Sequence, residues 1–272
     1  MLLRIGIYCV IALGFLAWYR REAAVSNQTP IPNLISDGAT GGDAVSVSRP
    51  AGLPGPARIK AARAARQRSI EQRCKAAGLP YPPRELFLRA FKQPGELEVW
   101  GREKGDQFQR IGVYGLTAAS GRPGPKRKEG DMQVPEGCYK VAVFNPESSF
   151  HLSLGIDYPN ASDRILSDAK APGSDIYIHG GAVSIGCLPI GDDAIDEVFL
   201  LASDVKARGQ TEIPVHIFPA RMEGAAWEQT LAAYPQHAAF WKQLEPIYLA
   251  FGRTLRVPRV EVDSDGSYRL KE

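Results

Sequence analysis

The chain has 272 residues, with 33 Lys and Arg against 30 Asp and Glu for a net charge of +3, 44% hydrophobic residues and four cysteines. That length gives one substantial domain with appendages or two small ones, and the balanced charge excludes a supercharged nucleic-acid binder and an acidic disordered chain. Cys9, Cys74, Cys138 and Cys187 contain no CxxC pair, which argues against a disulfide scaffold, a zinc ribbon or thioredoxin-like redox chemistry.

In chain order, Met1 to Arg4 and the uncharged apolar run Ile5 to Trp18 read as an export segment. The run is shorter than the ~20 residues a spanning helix needs, and Arg20 and Arg21 follow it at once. An uncleaved inner-membrane anchor over residues 5–19 is favoured over a cleaved signal peptide of residues 1–21, and either one places the protein in the periplasm. Residues 22–57, rich in Pro, Gly, Ser, Thr and Ala, read as a flexible linker. Residues 58–83 form a basic helical segment. Between Arg58 and Lys75 it holds Arg58, Lys60, Arg63, Arg66, Arg68, Arg73 and Lys75 against Glu71 alone. Such a helix meets acidic polymers or a membrane surface, or is a solvated face.

From residue 84 to 220 the pattern turns to strands. Leu86–Phe91 alternates, Gln93-Pro94-Gly95 turns it, Leu97–Trp100 returns, and Phe108–Tyr114 completes a meander. A Gly-, Pro- and Lys-rich loop leads to strands at Cys138–Phe144 and His151–Ile156, then to the short run Ile176–His179. Asp192 and Asp193 are expected to cap a helix reaching about Arg208, with Ile195, Val198, Phe199 and Ala202 on one face. Glu212–Phe218 closes the set. Residues 221–272 read as a helical extension whose Trp227, Tyr234, Phe240, Trp241, Tyr248 and Phe251 pack on the β-domain. The expected class is mixed α/β, mainly β.

The chemistry sits between Ile176 and Pro189. A thiol nucleophile needs a base that takes its proton and then holds the imidazolium near the thiolate, and His179 and Cys187 supply that pair. Gly180, Gly181 and Gly186 let the chain fold back so that the two side chains meet. The amides of Gly186 and Cys187 are candidates for an oxyanion hole. On local physics alone, a lone His and Cys at this spacing are more often structural.

This stretch resembles the active-site signature of the L,D-transpeptidase (YkuD-type) family, in which His-Gly precedes Ser/Thr-x-Gly-Cys by a variable gap. Together with Gly124–Tyr139 and Phe144–Arg164 it resembles the YafK-type branch from about Leu86 to Phe218, and the helical tail resembles that branch's extension. The resemblance implies a β-sandwich-like catalytic domain over residues 84–220. It also implies Cys187 as nucleophile, His179 as general base, and the Gly180 carbonyl as the group that orients the imidazole. Family enzymes attack the L-centre carbonyl of meso-diaminopimelate in a peptidoglycan stem peptide and form a thioester, which an amine turns into a crosslink and water hydrolyses. No cofactor or metal is implied. The expected partners are peptidoglycan stem peptides and a wall-linked lipoprotein, with no nucleic acid.

Two positions depart from the family pattern. Ile185 stands where a His is common, and Pro189 where an Arg or Asn is common. A lost guanidinium removes roughly 1.5–3 kcal/mol of shielded carboxylate binding. The YafK-type branch shares these departures and is associated with hydrolysis of diaminopimelate bonds. Substrate contacts are expected from His151, Tyr177, Ser184, Gly186 and Arg164, with Lys128 as a second candidate for the missing cation. His216 and His237 read as structural or surface residues. Cys74 and Cys138 are candidates to pair in an oxidising compartment, although nothing in the sequence fixes their distance. Two functions compete with the enzyme: a catalytically silent peptidoglycan-binding module that uses the basic segment, and a zinc site from His151, His179 and Cys187 that lacks a fourth ligand. Transpeptidase and hydrolase are not separable from the sequence, because cleft shape decides which acceptor reaches the thioester.

Overall fold

A computed structural model describes residues 54–271; the export segment and the linker up to residue 53 lie outside the described residues. Helix α1 (Gly55–Ala76) leads into strands β1 (Glu85–Phe91), β2 (Glu96–Arg102) and β3 (Gln109–Gly115). After a long loop come β4 (Gly137–Asn145), β5 (Ser153–Ile156), helix α2 (Ala161–Leu166), β6 (Tyr177–His179) and β7 (Leu188–Pro189). Helix α3 (Asp192–Ala207), β8 (Pro214–Phe218), helices α4 (Gly224–Ala233) and α5 (Pro235–Thr254), and a ribbon of β9 (Val260–Val262) and β10 (Tyr268–Leu270) follow.

Eight strands form one sheet in the order β3-β2-β1-β8-β4-β5-β6-β7. Strand β8 inserts between β1, which it pairs in parallel, and β4, which it pairs antiparallel. Strand β4 is shared. Gly137–Lys140 pair with β8, and from Val141 the strand pairs with β5, with a register shift between Val141 and Val143. The irregularity curls the sheet and turns β5, β6 and β7 away from the meander.

Strand β1 is buried on both faces. Leu86, Leu88 and Ala90 join Val215 and Ile217 of β8 and the apolar face of α3 in one cluster. Phe87 and Phe91 point the other way, into clusters with Phe218 and with Trp241, Tyr248 and Phe251 of α5. The alternation in the sequence therefore separates two apolar layers rather than core from solvent. Each fully buried side chain of this size contributes about 1.5–3 kcal/mol. The extension is two helices rather than one, because Pro235 has no N–H with which to continue α4 and instead opens α5.

The basic segment forms a helix, and much of its charge is turned inward. Arg63 grips Asp204 with both guanidinium nitrogens at 2.7 and 2.9 Å, Arg73 meets Glu197 at 2.9 Å, and Arg66 pairs with Asp193, all on α3. Ala62, Ile70 and Cys74 are buried beneath these pairs. Cys74 is fully buried, and its thiol is pushed up to about 11, chiefly by burial. Cys74 and Cys138 are both free thiols. Among the described residues no helix is long and apolar enough to cross a membrane.

Candidate active site

Strands β6 and β7 run parallel, with Ile178 opposite Leu188 and His179 opposite Pro189. This register sets Cys187, the residue before β7, beside Tyr177. The Tyr177 N–H donates to Sγ at 3.4 Å, and the thiol donates to the Asp175 carbonyl at 3.5 Å. His179 and Cys187 line the same open cleft of about 460 Å³, together with Tyr177, Ser184 and Phe150.

The imidazole is fixed by its neighbours. His179 Nδ1 lies 2.6 Å from the Gly180 carbonyl oxygen. A carbonyl only accepts, so Nδ1 carries the proton and Nε2 keeps the lone pair. The Phe150 ring stands 4.8 Å from the imidazole at 35°. The three glycines serve different needs. Gly181 and Gly186 have φ of +70° and +133°, the region that favours glycine. Gly180 is required for space, because a Cβ there would fall on the Asp192 carboxylate and 2.8 Å from the Phe150 carbonyl oxygen. Asp192 does not act as the N-cap of α3. Gly191 holds that position, and the Asp192 carboxylate instead accepts the Gly181 N–H at 2.7 Å.

Burial governs the electrostatics. It lowers the His179 pKa below 6.5, against the opposing hydrogen bond to Gly180. It raises the Cys187 pKa above 9.0; the Tyr177 amide opposes this rise and the Asp175 carboxylate adds to it. Both shifts favour the uncharged forms, so at rest the cleft is lined by a thiol and a neutral imidazole.

Ser184 knits the turn before the cysteine. Its hydroxyl donates to the Cys187 carbonyl at 2.8 Å, accepts the Gly186 N–H at 3.2 Å and meets Ser120 Oγ at 2.9 Å. The Gly186 amide is therefore engaged, which leaves the Cys187 amide as the one of the two oxyanion candidates without that commitment. A Cβ at Gly186 would lie 3.0 Å from the Gln133 carbonyl, so this turn is closely packed.

Three expected contacts lie elsewhere. His151, at φ +72°, turns its ring onto α3, where Nε2 lies 2.6 Å from Asp196 Oδ1, and it does not line the cleft. That placement also separates it from the zinc grouping with His179 and Cys187. Arg164 is an exposed residue of α2 and Lys128 an exposed loop residue, and neither lines the cleft. The charged residues that do are Glu147 and Asp175. His216 is buried between Phe87 and Phe218, its pKa pushed down to about 3 by burial and then by Arg89, and His237 packs on Trp241; both are structural. Sequence reasoning missed Phe150, Asp175 and Ser120. Only Asp175 carried a usable signal, through its place two residues before Tyr177.

Over 179 residues, 65% of this chain, the sequence is 34% identical to YafK from two Escherichia coli strains, spanning 70% of each relative; YafK is named as an L,D-transpeptidase of unproven activity. The chain belongs to the YafK branch of the L,D-transpeptidase family. No protein-family model matches it. Among solved structures, the helical cell shape determining protein Pgp2 from Campylobacter jejuni is 16% identical with a TM-score of 0.41, covering 66% of this chain and 73% of that one. Bd1075 from Bdellovibrio bacteriovorus is 22% identical with a TM-score of 0.37, covering 60% and 58%.

Proposed function

We propose that the protein is a cysteine acyl-transfer enzyme of peptidoglycan acting on the L-centre carbonyl of meso-diaminopimelate in stem peptides. The observation that carries this reading is a thiol at the entry to β7 and an imidazole of fixed tautomer at the end of the neighbouring β6, both lining one open cleft. As Cys187 Sγ attacks the carbonyl carbon, Nε2 of His179 takes the thiol proton and the Cys187 amide faces the developing oxyanion. Collapse of the tetrahedral intermediate breaks the C–N bond, the imidazolium returns its proton to the leaving amine, and a thioester remains. Water or an amine, deprotonated by Nε2, then releases the acyl group as a hydrolysed or crosslinked product.

Family membership supports the reaction class, and the docked basic helix weakens the competing glycan-binding module, since Arg63, Arg66 and Arg73 are paired with α3. The same reading places the protein outside the cytoplasm with its substrate, anchored or delivered by the segment over residues 5–19. Purified sacculi digested with the full-length protein, with and without an added amine acceptor, test it. Altered stem peptides that disappear in Cys187→Ala support the enzyme, and the acceptor arm separates crosslinking from hydrolysis. Binding to sacculi with an unchanged stem-peptide profile refutes it.

A further inference from the structure

The turn over residues 145–151, whose Asn145, Glu147, Ser148 and Phe150 line the cleft, is held from the far end of the described chain. Arg58, in the first turn of α1, reaches this turn, and its Nη1 donates to the carbonyls of Pro146 (2.9 Å), Ser148 (2.9 Å) and His151. Three carbonyl dipoles that aim their negative ends at one point repel one another unless a cation sits there, and a guanidinium supplies both charge and N–H groups. Local bonds complete the turn: Glu147 N–H to Asn145 Oδ1 at 2.9 Å and Phe150 N–H to Ser148 Oγ at 3.1 Å. At its end His151 holds a left-handed backbone conformation that surrounding structure must maintain.

Phe150, inside this turn, meets His179 and the residue after it. Its carbonyl accepts the Gly180 N–H at 3.0 Å, and its ring packs 4.8 Å from the His179 imidazole. We propose that Arg58 is a positioning residue: by gathering the three carbonyls it sets Phe150 and, through Phe150, the ring plane of His179. This rests on the reading of His179 as the base and adds a residue that never meets substrate. It also ties α1 to the cleft at the helix start, where Gly55 lies against Pro146 and Glu147.

Histidine-ring NMR of the full chain tests this without any substrate. The sequence has four histidines, and His179→Gln identifies the His179 signal. Phe150→Leu then shows how far the ring current of Phe150 displaces it. Arg58→Gln is expected to move the His179 signal most of the way to its Phe150→Leu position, and Arg58→Lys, which keeps the charge on a shorter side chain, to restore part of the difference. If Arg58→Gln does not fold, Arg58→Lys gives the same direction of shift at smaller amplitude. In turnover of a stem peptide, Arg58→Gln is expected to lower kcat about tenfold with a smaller change in KM, the mark of a misplaced base. A His179 signal that stays at its wild-type position in both Arg58 variants while Phe150→Leu moves it overturns the proposal. Because the spectra need no reaction, failure of the proposed activity leaves this test standing.

Discussion

The two sides of the cleft are built on different length scales. On one side, His179, Gly180, Ser184, Gly186 and Cys187 lie in one short stretch, with local bonds joining His179 to Gly180 and Ser184 to Gly186 and Cys187. The opposite wall depends on Arg58, separated from its carbonyl partners by 88 to 93 residues, and on Asp196 of α3. The loop between β3 and β4, which carries Ser120, depends in turn on fully buried Glu136. Its carboxylate accepts from Lys92 Nζ at 2.9 Å, from the Gly124 amide at 3.0 Å and from Trp241 Nε1 of α5 at 2.6 Å. Reactive groups can be local because chemistry needs atoms within bonding reach; their orientation needs rigid elements brought in from elsewhere.

This contrast is open to attack on each side. The largest expected effect is on the local side, where His179→Ala should lower kcat/KM on a stem peptide by about 10³-fold or more, with an unchanged melting temperature. Gly180→Ala should cost about 10²-fold in kcat, because its Cβ displaces either Asp192 or the Phe150 backbone. On the long-range side, Glu136→Ala leaves Lys92 buried without its partner and should cost about 3–5 kcal/mol in urea unfolding, an effect on stability before chemistry. Arg63→Ala should cost less than about 1 kcal/mol, since the pair it breaks is partly exposed, and should leave turnover intact.

Protonation tests the same division. The His179 pKa is lowered by burial, so the base form persists to lower pH, and the acid limb of kcat/KM should have its midpoint below 6.5. Structural His216 is held neutral by burial, with a folded pKa of about 3. The unfolded chain therefore binds the extra proton between pH 6.5 and about 3, and stability should fall as pH falls through that window. Thermal unfolding at several pH values should show a smaller loss for His216→Leu than for wild type.

The legible parts of the molecule follow the same contrast. The window from Ile176 to Pro189 could be read because His179, Cys187 and the glycines lie close in sequence. Strands β1 to β4 and helix α3 could be read from their periodicity. Helix α1 was recognisable, but its role was not: a run of cations looks the same whether it meets solvent or the acids of a helix more than a hundred residues away. His151 fell on the right segment, yet a positive φ sent its ring to Asp196, and no pattern of residue types announces that turn. Pro235 was a break signal overlooked inside an aromatic-rich run. Helix α2 carries a start signal in the Asn160 and Asp163 capping box.

The most direct test of the central claim is the mass of the intact protein after brief incubation with a stem tetrapeptide. The account predicts an added acyl mass that maps to Cys187, is absent in Cys187→Ala and accumulates far more slowly in His179→Ala. No adduct on the wild-type protein, or the same adduct in Cys187→Ala, would contradict it.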